Sequence, residues 1–526
     1  MLKYKTHHQA DYRFDRDAHH ELAIKAATEG SILLKNEDDI LPIKKDSRIA
    51  LIGEFAKLPR YQGAGSSLVN PLKLDNAYDQ AATLAHQPSV TYARGYDVNS
   101  DEPDRDLIAE ACRTAASADV VVIMAGLTDA YESEGFDRSH MRMPPAQDEL
   151  IRQVAKVNPN VVVVLCNGSP IEMPWLSEVK AVLEVYLSGQ GGGSALWRLL
   201  YGEANPCGKL AETFPVKLED CSASHCFPMG PTGVEYRESI YVGYRFYDKA
   251  GADVSFPFGH GLSYTRFEYS DLKLDSDKIT DSDNLSFTFK IRNTGKTSGK
   301  EIAQVYIRDV ESTIFRPDKE LKEFVKVLLD PGEEQEIRLT LNKRAFAYYN
   351  VNIKDWQVES GDFEILVGAS SRDIKLSARV NVVSSIAFDE SDNKRNNDLK
   401  GYYTLSPNWK IGKDEFERLY GKPVIHRPVC KKGSYNQNST LDEIRGVFAG
   451  RMLYRFVMAN VNKVMRDIDE KTRLMIIHSI KEMPLRQLTL NSGGKIGKRM
   501  IDGYLLIFNG KFFKGLAKIL FREKLN

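Results

Sequence analysis

Two carboxylates two residues apart, Glu132 and Glu134, stand in the run AYESEGFDR, flanked by Tyr131 and Phe136 and followed by Asp137 and Arg138. In an ordinary polar loop such acids solvate the chain or pair with a neighbour such as Arg138. Held against apolar or aromatic groups, a carboxyl gains a raised pKa and can donate a proton near neutral pH. Tyr131 and Phe136 are the candidate walls, and Asp137 with Arg138 is the pair expected to fix the loop. A second polar run, GEFAKLPRYQGAGSS, offers Arg60, Tyr61, Gln62, Ser66 and Ser67, which can hydrogen-bond to or stack on a neutral polar ligand, although its glycines are equally explained by turn-building. The runs NGSP and SGQGGGS complete a set of four.

Each of these runs follows a short apolar stretch, and that arrangement is what positions them. From about Ala18 to Phe214, β-rich segments alternate with helical ones, the pattern of parallel strands joined by crossover helices. Strands are expected at Arg48 to Gly53, Asp119 to Gly126, Asn160 to Gly168 and Lys180 to Leu187. Helices are expected near His19 to Thr28, Asp104 to Ala118, Pro145 to Val157 and Ser194 to Tyr201. The apolar runs suit strands covered on both faces. In an open parallel sheet the loops leaving the carboxyl ends of the strands line one crevice, where ligands bind. A polar site is predicted there.

From about Leu262 to Val383 short alternating segments, such as Leu285 to Arg292, Ile302 to Arg308, Gln335 to Leu341 and Phe363 to Gly368, are separated by turn signals like NTGKTSG and DPGEE. This predicts a β-sandwich of immunoglobulin or fibronectin type. The polar stretch SDNKRNNDLKG then leads into a last region with helical runs at Leu441 to Val464 and Lys471 to Ile480. Its end mixes Lys and Arg with aromatic and aliphatic positions, which suits packing on its own protein or a partner subunit better than lying on a membrane surface.

Composition narrows the function. Seventy-two Lys and Arg balance 72 Asp and Glu, so no global field favours nucleic acid or an anionic surface, and a neutral substrate is expected. No apolar run approaches a membrane span, and the first residues have no apolar h-region, so a cytoplasmic product is expected. The six cysteines are scattered, which favours reduced thiols there. Cys221, His225 and Cys226 lack a second ligand pair with zinc-like spacing, and His7, His8, His19 and His20 are expected in solvent, so no metal is expected. SGQGGG follows the fourth strand with no ribose-binding acid placed beyond it, which argues against a nicotinamide site.

The motifs RYQGAGSSLVNP, AYESEGFDR, NGSPIEMPW, GEANPCGKLAETFP, YVGYRFYD and FPFGHGLSY, in this order along most of the chain, resemble glycoside hydrolase family 3, the β-glucosidase-like enzymes. DRDAHHELAIKAATEGSILLKNEDDILPI is similar to the helix and strand that enter that family's second, α/β sandwich domain. NTGKTSGKEIAQVYIRD and RPDKELKEFVKVLLDPGE are similar to its fibronectin III-like domain, and MPLRQLTLNSGG resembles a C-terminal extension of some bacterial members. The resemblance implies an α/β fold: residues 1–17 a linker remnant, 18–261 an α/β sandwich domain with a mostly parallel sheet, 262–388 an all-β fibronectin III-like sandwich, and 389–526 a helical C-terminal extension.

It also implies a reaction. Retaining hydrolysis of a terminal β-linked glycoside uses two carboxyl groups about 5 to 5.5 Å apart, one a nucleophile and one a proton donor that then acts as base, with no cofactor. In the family the nucleophile is an Asp on a (β/α)8 barrel and the donor is a Glu on a sandwich-domain loop. Glu134 matches the Glu-Gly-Tyr/Phe pattern of the donor, Glu132 is the rival, and Arg60, Tyr61, Gln62, Ser66 and Ser67 would line the sugar cleft. A barrel of about 250 residues does not fit in the roughly 20 residues before the first expected helix. The one Asp-Trp pair, Asp355 and Trp356, falls in the fibronectin-like region. The expectation is a chain that hydrolyses little alone, completed by a separate barrel polypeptide or descended from a truncated or split gene, for either of which Met1 is suitably placed. The rival is a non-catalytic carbohydrate-binding or assembly subunit using the same crevice.

Overall fold

The computed structural model describes residues 14–66, 68–84, 89–229, 233–386, 398–426, 428–466, 470–491 and 496–520. His7, His8, Ser67 and most of SDNKRNNDLKG lie outside them.

The helix α1 (Arg16–Gly30) starts where the Asp15 side chain accepts from the N–H groups of Asp17 and Ala18, satisfying donors that no helical carbonyl can reach. A six-stranded sheet follows, built from β1 (Ile32–Asn36), β2 (Ile49–Ile52), β3 (Val90–Ala93), β4 (Val120–Gly126), β5 (Val161–Cys166) and β6 (Ala181–Glu184) in the order β1-β6-β5-β4-β2-β3. Five strands are parallel, and β1 runs antiparallel to β6. Between them lie α2 (Ala77–Ala81), α3 (Arg105–Ala116), capped by Asp104, α4 (Pro145–Val157), with proline in its first turn, and α5 (Gly192–Leu200). Proline suits that place because its missing N–H is one the helix would leave unpaired.

Every residue of β4, β5 and β6 is buried, as expected for strands covered on both faces. Trp175 and Trp197 fill this core almost completely buried, and each such side chain contributes about 2–3 kcal/mol of hydrophobic stabilisation. The glycines at the start of α5 are packing devices: a Cβ on Gly193 would stand 2.6 Å from the backbone carbon of Asn76, and one on Gly191, the residue before the helix, would stand 2.6 Å from Ile24.

The outer side of β1 is closed. Leu33 O accepts from Leu262 N at 2.8 Å, Ser31 O from Gly208 N at 3.2 Å, and Leu34 O lies 2.8 Å from His260 Nε2. His20 departs from the solvent-exposed cluster expected of the early histidines. It is 7 % exposed, and its ring lies 3.2 Å from Asp75 and 3.0 Å from Gln190, because α1 turns that face inward toward α5. His19 is exposed.

Next comes a β-sandwich. A five-stranded sheet in the order Lys278–Thr280, Ile374–Val383, Gly361–Gly368, Gly299–Asp309, Glu320–Leu329 packs with a three-stranded sheet in the order Glu334–Leu341, Leu285–Asn293, Phe267–Leu274. Strand Leu285–Asn293 alternates buried with partly exposed residues, and Phe287, Phe289 and Ile291 point into the shared core. Asp355 and Trp356 sit in a small hairpin, with the Arg344 guanidinium 3.4 Å from the Trp356 ring centre. A helical stretch ends the chain, including helices Phe448–Val464, Glu470–Glu482, Lys498–Phe508 and Phe512–Leu520. The helix expected from Leu441 breaks at Gly446 and Val447 into a 3-10 turn and the longer helix. Among the described residues, no helix is long and apolar enough to cross a membrane.

Candidate active site

The loops leaving β2 and β4 are sewn together at the carboxyl edge of the sheet. Arg60, 8 % exposed, donates from Nε to Leu127 O at 3.2 Å and from Nη2 to Glu132 O at 3.2 Å. Its Nη1 donates to Gln62 O and meets Asp129 at 2.5 Å. An isolated bridge pairs Ala64 with Ser133. One guanidinium thus ties both loops, and its donors are spent on the loops themselves.

Glu134 sits at the free end of this seam. Its Oε2 accepts from the backbone N–H of Ser66 at 2.7 Å. The Ser66 hydroxyl and backbone N–H hold the Glu134 carboxyl below its ordinary value, and the group is otherwise open to solvent. This is opposite to the elevation expected from apolar walls. Tyr131 is drawn away by a hydrogen bond to Asp101 and an edge contact with His140, 6.0 Å between ring centres. Hydrogen-bond donors at an exposed carboxylate favour its charged form.

Glu132 turns the other way. Its Oε2 accepts from the backbone N–H of Gly168 at 2.8 Å and its Oε1 from the Ser169 hydroxyl, so it clamps the β4 loop to the loop after β5. Arg138 fixes the loop through partners other than the expected Asp137: its Nη2 donates to Ser169 Oγ at 2.9 Å and to Pro170 O at 3.0 Å. Behind them lies a layer of acids that sequence reading passed over. Glu184, fully buried at the end of β6, accepts from Asn167 Nδ2 at 3.0 Å and from the Tyr186 N–H at 2.8 Å, and burial pushes its carboxyl far up. Burial pushes Glu212 up to about 7 against the pull of Arg138. A lone acid in the apolar run AVLEVYL was the available signal for Glu184; nothing in AETFP marks Glu212.

The remaining sequence candidates divide. Gln62 spans its own turn, donating to Val69 O at 3.0 Å and accepting from Val69 N at 2.9 Å, and its Nε2 also lies 2.7 Å from the Tyr61 hydroxyl. Ser66 is exposed beside Glu134. The structure therefore brings Ser66 and Glu134 together at an open edge and ties Arg60, Gln62 and Glu132 into the loop framework. Among the described residues, no group of three His, Cys, Asp or Glu side chains is arranged to hold a metal ion.

Comparison with known proteins bears on this arrangement. Residues 31–264 match the glycosyl hydrolase family 3 C-terminal domain, and residues 301–371 match a fibronectin type III-like domain. The chain is 45% identical over 491 residues to thermostable beta-glucosidase B of Acetivibrio thermocellus, covering 93% of this chain and 59% of that protein. It is 42% identical over 375 residues to an exo-alpha-(1->6)-L-arabinopyranosidase of Bifidobacterium breve, covering 69% of this chain and 49% of that one. A beta-glucosidase crystal structure from Bifidobacterium adolescentis superposes with a TM-score of 0.69 at 43% identity, over 72% of this chain and 56% of the other. The chain spans about half to three fifths of the length of these curated relatives.

Proposed function

Because the chain belongs to glycoside hydrolase family 3, of which it carries the C-terminal and fibronectin type III-like domains, we propose that it supplies the acid/base half of a retaining β-glucosidase-type site, with Glu134 as the proton donor. The observation that carries this reading is the contrast between the two acids. Glu132 is consumed by Gly168 and Ser169, whereas Glu134 is held by a single residue, Ser66, at the rim.

In this reading Glu134 protonates the departing glycosidic oxygen. It then takes a proton from the water that releases the sugar from a nucleophilic carboxylate supplied by a (β/α)8 barrel, in cis or as a separate polypeptide. In the open site Glu134 is ionised at neutral pH. Substrate and the facing wall displace water from it, which favours the neutral acid that the first step requires. Ser66, and Ser67 beyond the described residues, contact the sugar or the donor. Arg60, Tyr61 and Gln62 act through the shape of the loop. The substrate is a terminal glycoside, in keeping with the glucosidase and arabinopyranosidase activities for which the relatives are named. The six free cysteines support a cytoplasmic setting.

The test is hydrolysis of aryl β-glucosides by the chain alone and with a barrel polypeptide. Turnover in the mixture that falls by roughly 10²–10⁴-fold in Glu134→Gln supports the assignment. Sugar binding with no turnover in either case supports the rival reading of a non-catalytic carbohydrate-binding subunit.

A further inference from the structure

The helix Glu470–Glu482, more than three hundred residues beyond the β4 loop, lies against both glycines that frame the donor. A Cβ built on Gly65, the residue before Ser66, would lie 2.7 Å from Glu134 Oε2 and 2.9 Å from Met475 Sδ. A Cβ on Gly135, the residue after Glu134, would lie 2.8 Å from Ser479 Oγ and 3.0 Å from Met475 O. Both glycines have positive φ, 106° and 97°, so neither place suits an ordinary residue. The Phe136 and His478 rings follow, 5.2 Å apart and tilted by 46°. Met475, His478 and Ser479, spaced three and four residues apart, share one face of the helix. This helix lies beyond both matched domains, which end at 264 and 371.

We propose that Met475, His478 and Phe136 form the leaving-group wall of the cleft, and that the group they receive is an apolar or aromatic aglycone. The inference rests on Glu134 being the donor. A donor must touch the oxygen that departs, so side chains packed against the glycines beside it, on its own polypeptide, stand next to what that oxygen is attached to. A thioether, an imidazole and a phenyl ring make an adaptable surface that favours flat or apolar groups.

The test uses the full chain with methionine methyl groups labelled for NMR and two hydrolysis-resistant probes, phenyl and methyl β-D-thioglucoside. The phenyl compound is expected to move the Met475 methyl and His478 ring signals and to bind about tenfold more tightly than the methyl compound, a difference erased in Met475→Ala/His478→Ala and kept in Phe513→Ala on the remote, exposed end of the extension. Equal affinities for the two probes, or no movement of Met475 and His478 in the unsubstituted chain, overturn the proposal, whatever the double variant does to folding. Failure of the underlying reading is separate: it appears as absent turnover with a barrel polypeptide while the phenyl preference persists.

Discussion

Arg60 and Asp129 meet at 2.5 Å beneath the paired loops, with side chains only 7 % and 18 % exposed. This pair joins the loop after β2 to the loop after β4. Removing one partner leaves the other charged in a confined place, which costs about 3–5 kcal/mol. Arg60→Ala should lower the urea midpoint accordingly, whereas Asp137→Ala at the exposed end of the loop should stay within about 0.5 kcal/mol. A small effect at Arg60 would mean the loops are held from elsewhere.

Ser66 lowers the proton affinity of Glu134 through its hydroxyl and its backbone N–H. Ser66→Ala deletes the first donor and keeps the second. The Glu134 titration midpoint, followed by carboxyl carbon NMR, should move up toward the ordinary glutamate value without passing it. An unchanged midpoint would deny the contact.

Glu212 predicts a pH dependence of stability. Its carboxyl is pushed up by burial from 4.5 to about 7. Between those values the folded chain binds a proton that the unfolded chain has released, so this group's contribution is full below about pH 4.5 and is lost as the pH rises through about 7. Glu212→Gln keeps a neutral, hydrogen-bonding group and should flatten that decline, raising Tm at pH 8 by roughly 2–4 °C more than at pH 5. Parallel profiles for the two proteins would reject the buried-acid account.

Gly193 sets two effects against each other. Alanine is preferred to glycine in a helix by about 1 kcal/mol, yet the new methyl would fall 2.6 Å from the backbone of Asn76. Backbone cannot swing aside, so overpacking of roughly 1–3 kcal/mol should prevail. Gly193→Ala is therefore expected to destabilise, and thermal denaturation decides the sign.

Much of the architecture was legible because it rests on local patterns. The all-buried strands Val120–Gly126 and Val161–Cys166 announce themselves as unbroken apolar runs, and Asp104 and Pro145 mark helix starts. Strand Val90–Ala93 escaped notice because four residues with only Ala93 fully buried give too short a pattern. Ile32–Asn36 follows α1 after a single residue, so periodicity alone does not set it apart, and only the resemblance placed a strand in that run. At the site, the loop carrying Glu134 could be found from its place after a strand. That Arg60 would be spent on Asp129 and three carbonyls, that Tyr131 would turn to Asp101, and that Met475 would reach Gly65 all depend on contacts distant along the chain.

The backward course of β1 has a consequence for behaviour at high concentration. Its rim acceptors at Ser31, Leu33 and Leu34 are already taken by Gly208, Leu262 and His260, so a neighbouring molecule finds no open ladder there on which to add a strand. Aggregation templated by that margin of the sheet is blocked by the chain's own return path.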